Sequence, residues 1–128
     1  MTHRSRLCAA LIDVPRSDYQ AEIGFWSAAL EHPADIDADD PNYAGFGETT
    51  PGVELMVQAV GEDRIRIHLD IETDDVEAEV ARLVGIGATV VERIEHWVVM
   101  RDPVGTIFCV IRVQNPEVFT AHATAWDG

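Results

Sequence analysis

His68-Leu69-Asp70-Ile71, followed by Asp75-Val76-Glu77-Ala78-Glu79-Val80, repeats the pattern of Leu11-Ile12-Asp13-Val14 followed by Asp18-Tyr19-Gln20-Ala21-Glu22-Ile23, and the offset is 57 residues throughout. A constant spacing across a strand-like run, a turn and a helix-like run implies one supersecondary unit used twice, with a cleft between its halves. The later copy is the cleaner one. Ile65, Ile67, Leu69 and Ile71 alternate with Arg66, His68, Asp70 and Glu72, the period of a strand with one apolar and one polar face.

Working outward, Leu7 to Val14 reads as a strand stopped by Pro15. Ser17 with Gln20 forms a capping box, and Tyr19, Ile23, Trp26 and Leu30 recur at helical spacing. Strand signals follow near Ala34 to Ile36, over Asn42 to Glu48 and over Val53 to Val60, the last two separated by Thr49-Thr50-Pro51-Gly52. In the second copy Asp74 caps a helix with Glu77 at the box position, and Val76, Val80, Leu83 and Val84 form its apolar stripe up to Gly87. Thr89 to Glu95 and His96 to Arg101 are strands, and Asp102-Pro103-Val104-Gly105 suits a type I turn before Ile107 to Val113. Both halves therefore read strand, helix, three strands, over about 5–60 and 64–113. Residues 114–128 form a C-terminal extension, either a short helix from Pro116 or a frayed tail.

The 128 residues fit one domain, 1–128, able to bury a core without staples. Cys8 and Cys109 sit in apolar runs, where a thiol acts as a small hydrophobe, and this pattern suits a reducing, cytoplasmic setting. No stretch resembles a signal peptide or a membrane span. A net charge of −14 argues against nucleic-acid and membrane-surface partners. All nine basic residues are arginines, which removes Schiff-base, P-loop and lysine-base chemistry. Three serines without a Gly-x-Ser-x-Gly elbow speak against serine nucleophiles, and the acidic Asp35 to Asp40 run lacks the glycine and distal glutamate of a calcium loop.

Helices with one apolar stripe cover one sheet face, so the polar alternates line the other. That reasoning gathers His68, Arg66 and Asp70 with Ala9, Leu11 and Asp13, and with Glu54, Met56 and Gln58, while Val53, Leu55 and Val57 go under the helices. A four-residue hairpin turn at Asp102 to Gly105 would pair Cys109 with Val98 and Ile111 with His96, placing Cys109 and His96 on one face. His68 reads as a ligand contact or as a histidine held by Asp70, Glu54 or backbone. Glu54 is the acid/base candidate among apolar neighbours, or the partner of Arg66.

The paired units, His68-Leu69-Asp70 leading into Asp74 to Val80, and Asp102-Pro103-Val104-Gly105 before Phe108-Cys109-Val110, resemble the glyoxalase-like, vicinal-oxygen-chelate superfamily, the fold of glyoxalases, bleomycin-resistance proteins and extradiol dioxygenases. The resemblance covers roughly Leu7 to Val113. It implies an α+β fold of two tandem βαβββ units forming a curved, mostly antiparallel sheet with helices on the convex face, and a homodimer. It also implies a metal ligand from the first strand of each unit and an acidic ligand from the last. His68 matches the second-unit ligand, but its first-unit counterpart is Leu11, which has no donor atom, and Cys109 stands where a glutamate is common. The expectation is a small-molecule-binding protein with no metal cofactor favoured. The alternative is a lyase, isomerase or dioxygenase using Zn, Ni, Mn or Fe at His68, Glu54 and Cys109.

Overall fold

Pro15 ends the first strand, and the strand before it is longer than its apolar run. β1 spans Thr2–Pro15, because Thr2–Ser5 pairs antiparallel with a C-terminal strand, β9 (Thr124–Asp127). Between them follow α1 (Tyr19–Leu30), β2 (Asp35–Ile36), β3 (Tyr43–Gly45), β4 (Glu54–Val60), β5 (Arg66–Thr73), α2 (Val76–Gly85), β6 (Thr89–Arg93), β7 (Val98–Arg101), β8 (Ile107–Arg112) and α3 (Pro116–His122). This computed structural model describes residues 2–47 and 51–127, so Thr49 and Thr50 of the expected turn and the end of the Asn42 to Glu48 run lie outside the described residues. The protein is α+β with mostly antiparallel strand pairs, and strand, helix, three strands occurs twice in chain order.

Two compact units divide the chain. One is Ala9–His68; the other, the split unit, joins residues up to Cys8 to those from Leu69 onward. β1 and β5 each contribute residues to both.

In the Ala9–His68 unit the strand order is β2-β3-β4-β1, with β4 parallel to β1 and antiparallel to β3. The helical spacing of α1 sets Ile23, Trp26 and Leu30 against buried Ile12, Val14, Tyr19, Phe46 and Val57. Phe46 is completely buried, and its truncation to alanine would cost about 3–5 kcal/mol by transfer and cavity terms together. The expected capping box is absent. Pro15 instead leads into a 3-10 turn over Arg16–Asp18 whose backbone bond, Tyr19 N–H to Arg16 C=O, supplies what a Ser17 cap would have supplied.

In the split unit β5 is parallel to β8, β8 antiparallel to β7, and β7 antiparallel to β6. Val80 and Leu83 of α2 cover Val98, Met100, Phe108 and Val110. Three expectations need correction here. The α2 cap is Asp75, whose side chain accepts from Ala78 N–H, because Asp74 is taken by the Arg4 backbone N–H at 2.8 Å and by its guanidinium at 3.0 Å. Val84 is exposed, and the position on the buried side belongs to Glu79, which has no exposed surface. The β7–β8 hairpin is shifted by one residue, pairing Val99 with Cys109 and Val98 with Val110. Its loop takes in Thr106 because Gly105 adopts a positive φ of 105° and Asp102 gathers the Val104 and Thr106 N–H groups.

The apolar alternation of β5 is also only partly internal. Ile65 and Ile67 are 65% and 63% exposed, since α1 covers β1, β3 and β4 and not the start of β5. Ile71 alone of the four packs against the α2 core. The C-terminal extension is ordered structure: Asn115 caps α3 by accepting from Val118 N–H, and Phe119 is buried under the Arg4 guanidinium at 5.0 Å.

Candidate functional site

In the Ala9–His68 unit the strand registers set Ala9 against Glu54, Leu11 against Met56 and Asp13 against Gln58, with Tyr43 of β3 also opposite Gln58. Registered partners share a sheet face, so these residues form the side away from α1, whose neighbours are the intervening Ile12, Val14 and Val57. Leu11 is 1% exposed and packs beneath this face, while Glu54, Met56 and Gln58 are half-buried and line its accessible part. The Gln58 amide donates to the Tyr43 hydroxyl at 2.9 Å. Glu54 lies over Gly45, whose missing Cβ leaves room for its carboxylate.

His68 and Arg66, same-face alternates at the start of β5, reach this surface through Asp13. His68 Nδ1 is 2.8 Å from Asp13 Oδ2, and Arg66 Nε is 3.5 Å from the same oxygen. An ionised carboxylate only accepts, so Nδ1 carries the proton and donates it. Asp13 is 2% exposed, and its Oδ1 is buried with no hydrogen-bond partner among the described residues. An acceptor left so is costly, on the order of 1–3 kcal/mol. Asp13 thus holds His68, and Arg66 pairs with Asp13 and, at 3.8 Å, with Glu62.

The remaining candidates belong to the split unit. Asp70 and Cys109 are cross-strand partners on β5 and β8, and the Cys8 thiol donates to the Asp70 carbonyl at 3.4 Å. Burial, with Glu72 and Asp70 nearby, pushes the Cys8 thiol up to about 12, so it is a packed group and no nucleophile. His96 is not beside Cys109; it precedes β7, is exposed, and comes no nearer than 3.7 Å to Glu95. The one-residue shift of the hairpin removes that pairing.

Other polar groups of the split unit are engaged in pairs. Glu72 accepts from the Arg6 guanidinium at 2.9 Å and from Gln114 N–H at 2.9 Å. Glu79 faces His3 Nε2 at 2.8 Å and takes a two-pronged Arg82, whose guanidinium stacks 3.9 Å over Trp126. Burial opposes ionisation of Glu79, but hydrogen bonds from Arg82, His3 and Ser5 outweigh it and hold the carboxyl below its usual range. On the helix side of this unit a cavity of about 260 Å³ is lined by Leu7, Leu69, Ile71, Leu83 and Phe108. It lies on the opposite face of β5 from Asp70 and Glu72, since the two sets alternate.

A family model described as the glyoxalase-like domain matches residues 9–111. The chain belongs to that family, within the vicinal-oxygen-chelate superfamily. No curated protein matches it significantly. Solved structures similar to it include a hypothetical protein from Bacillus halodurans, 10% identical with a TM-score of 0.62 over 87% of this chain and 96% of that one. Methylmalonyl-CoA epimerase from Streptomyces coelicolor is 14% identical with a TM-score of 0.57, covering 86% and 98%. 4-Hydroxymandelate synthase from Streptomyces coelicolor is 16% identical with a TM-score of 0.53, covering 88% of this chain and 50% of that one. At such identities the likeness is one of fold.

Asp13 and Tyr43 are the residues that the sequence alone did not single out as site members. The 57-residue offset already put Asp13 on the polar side, so parity with Leu11 was the signal for it. Tyr43 had none, because its place depends on the β3–β4 register.

Proposed function

We propose that this glyoxalase-like protein binds a small molecule against the polar face of its Ala9–His68 unit, without a complete divalent-metal site. The observation that carries the reading is Leu11, buried and apolar, registered with Met56 and flanked by placed polar groups at Asp13, Tyr43, Gln58 and His68. An apolar floor with a few oriented donors and acceptors is what small-molecule recognition uses. His68 and Glu54 alone fall short of the three or so protein ligands a catalytic divalent ion uses, and Leu11 has no lone pair to add. A sequestering role needs no reaction.

Elemental analysis of the purified protein, with a thermal-shift series in Ni²⁺, Zn²⁺, Mn²⁺, Fe²⁺ and EDTA, tests this. Ligands of the native state raise its melting temperature, so the reading expects no stoichiometric metal and no loss of stability in EDTA. Stoichiometric metal and a clear fall in EDTA would contradict it. That outcome would favour the second reading, a metal-dependent lyase, isomerase or dioxygenase, for which the split unit offers a carboxylate and a thiol side by side at Asp70 and Cys109.

A further inference from the structure

We propose that the cavity on the helix side of the split unit is a second ligand site, for an uncharged molecule with an aryl or compact hydrocarbon body. It stands or falls independently of the polar face. The cavity measures about 260 Å³, and every residue that lines it belongs to the split unit. Strand register sets its base: Leu69 and Phe108 are partners across β5 and β8, and Ile71 follows Leu69 on the same face. Leu83 of α2 and Leu7 of β1 add to the lining, and the turn after α2 supplies the rest through Ile86 and Ala88. Gly87 takes a φ of 118°, and a Cβ there would stand 3.0 Å from Pro103 Cγ, so glycine is what lets this turn close on the β7–β8 loop.

The lining decides the class of ligand. Leu7, Leu69 and Ile86 keep exposed apolar surface around the recess, which an apolar guest would remove from water. The polar residues that line it, Asp102 and Thr106, are occupied with each other. Asp102 Oδ1 accepts from the Thr106 N–H at 2.8 Å and the Val104 N–H at 3.0 Å, and the Asp102 N–H donates to the Thr106 carbonyl at 2.9 Å. Hydrogen bonds, that from the Thr106 N–H first, hold the Asp102 carboxyl below its usual range, so a negative charge stands beside the cavity. An anion is repelled there, as it is by the chain's charge of −14. A cation placed among the apolar side chains would give up its hydration and find no acceptor among them. An uncharged apolar body meets neither cost. Size sets the scale: a cavity of about 150 Å³ lined by Leu, Ile and Phe stays dry and takes up benzene, so about 260 Å³ with the same kind of lining admits a substituted ring.

Three probes of one shape separate these cases: p-xylene, 4-methylbenzoate and 4-methylbenzylammonium. Each is titrated into the isotopically labelled full chain while the methyls of Leu69, Ile71, Leu83 and Ile86 and the Phe108 ring are followed by NMR. p-Xylene should move these signals saturably, and the two charged probes should bind about tenfold more weakly or worse. Ile86→Asp, at an exposed position, brings a second carboxylate to the recess and should weaken p-xylene by about tenfold. The three titrations are read in the unaltered protein, so the test does not depend on that variant folding. p-Xylene that leaves all five residues unmoved, or either charged probe binding as well as p-xylene, would overturn the proposal. So would cavity signals that shift with protein concentration before any probe is added, since a second copy of the chain would then be the occupant.

Discussion

Three buried carboxylates, Glu72 and Glu79 of the split unit and Asp13 of the Ala9–His68 unit, are engaged in two different ways. In the split unit Glu72 and Glu79 each have both oxygens engaged, by Arg6 and the Gln114 backbone in one case and by His3 and Arg82 in the other. In the Ala9–His68 unit Asp13 is as deeply buried but half-engaged. Fully partnered buried charges hold a fold together, and removing one partner strands the other. The C-terminal extension belongs to the scaffold side of this contrast, since Gln114 and Trp126 donate to buried Glu72 and Ser5, and Phe119 is itself buried beneath Arg4.

The largest expected effect breaks a scaffold pair. Glu72→Ala leaves Arg6, 7% exposed, without its carboxylate and should cost about 3–5 kcal/mol in urea unfolding. Acid should act on the same unit through Glu79. Its carboxyl is held below the ordinary value of 4.5, so its stabilisation is in place above that pH and fades as the pH falls. Base acts through Cys8. Its folded pKa of about 12 exceeds the ordinary thiol value of 9.0, so the unfolded chain loses its proton first and stability should fall from pH 9 toward 12. The slope is about 1.4 kcal/mol per pH unit, and between pH 9 and 10, below the range where Tyr19, also raised by burial, adds its own, thermal melts should show it vanish in Cys8→Ala. If the slope persists in that variant, the thiol is not the group responsible.

Smaller changes are expected on the ligand side. Asp13→Asn should cost only about 1–2 kcal/mol, well below Glu72→Ala, because one of its oxygens has nothing to lose. Equal costs would erase the distinction between a fully and a half-engaged buried carboxylate. Gly45→Ala places a methyl where the Glu54 carboxylate lies, and it should cost about 1 kcal/mol while moving the Glu54 side-chain signals and leaving those of the split unit in place.

Much of the fold was legible in the sequence because periodicity survives without tertiary knowledge. The doubled strand, helix and three strands and the α1 stripe rest on local spacing, while the terminal helix at Pro116 was one of two readings the sequence left open. What failed were features settled by distant partners. Asp74 could not cap α2 once Arg4 claimed it, the hairpin register depended on how Asp102 folds its loop around Thr106, and Glu79 took a buried place because His3 and Arg82 neutralise it. The site followed the same rule. Same-strand parity put His68 with Arg66, and Glu54 with Met56 and Gln58, but the Asp13–His68 contact spans 55 residues and needed coordinates.

The central claim is that the Ala9–His68 face receives a polar ligand, separately from what the apolar cavity of the split unit takes up. An NMR map of the labelled full chain against a mixed fragment library tests it most directly. Signals of Leu11, Tyr43, Met56, Gln58 and His68 should move while those of Arg6, Glu72, Glu79 and Trp126 stay. Shifts confined to Leu69, Leu83 and Phe108, around the apolar cavity of the split unit, would contradict the account.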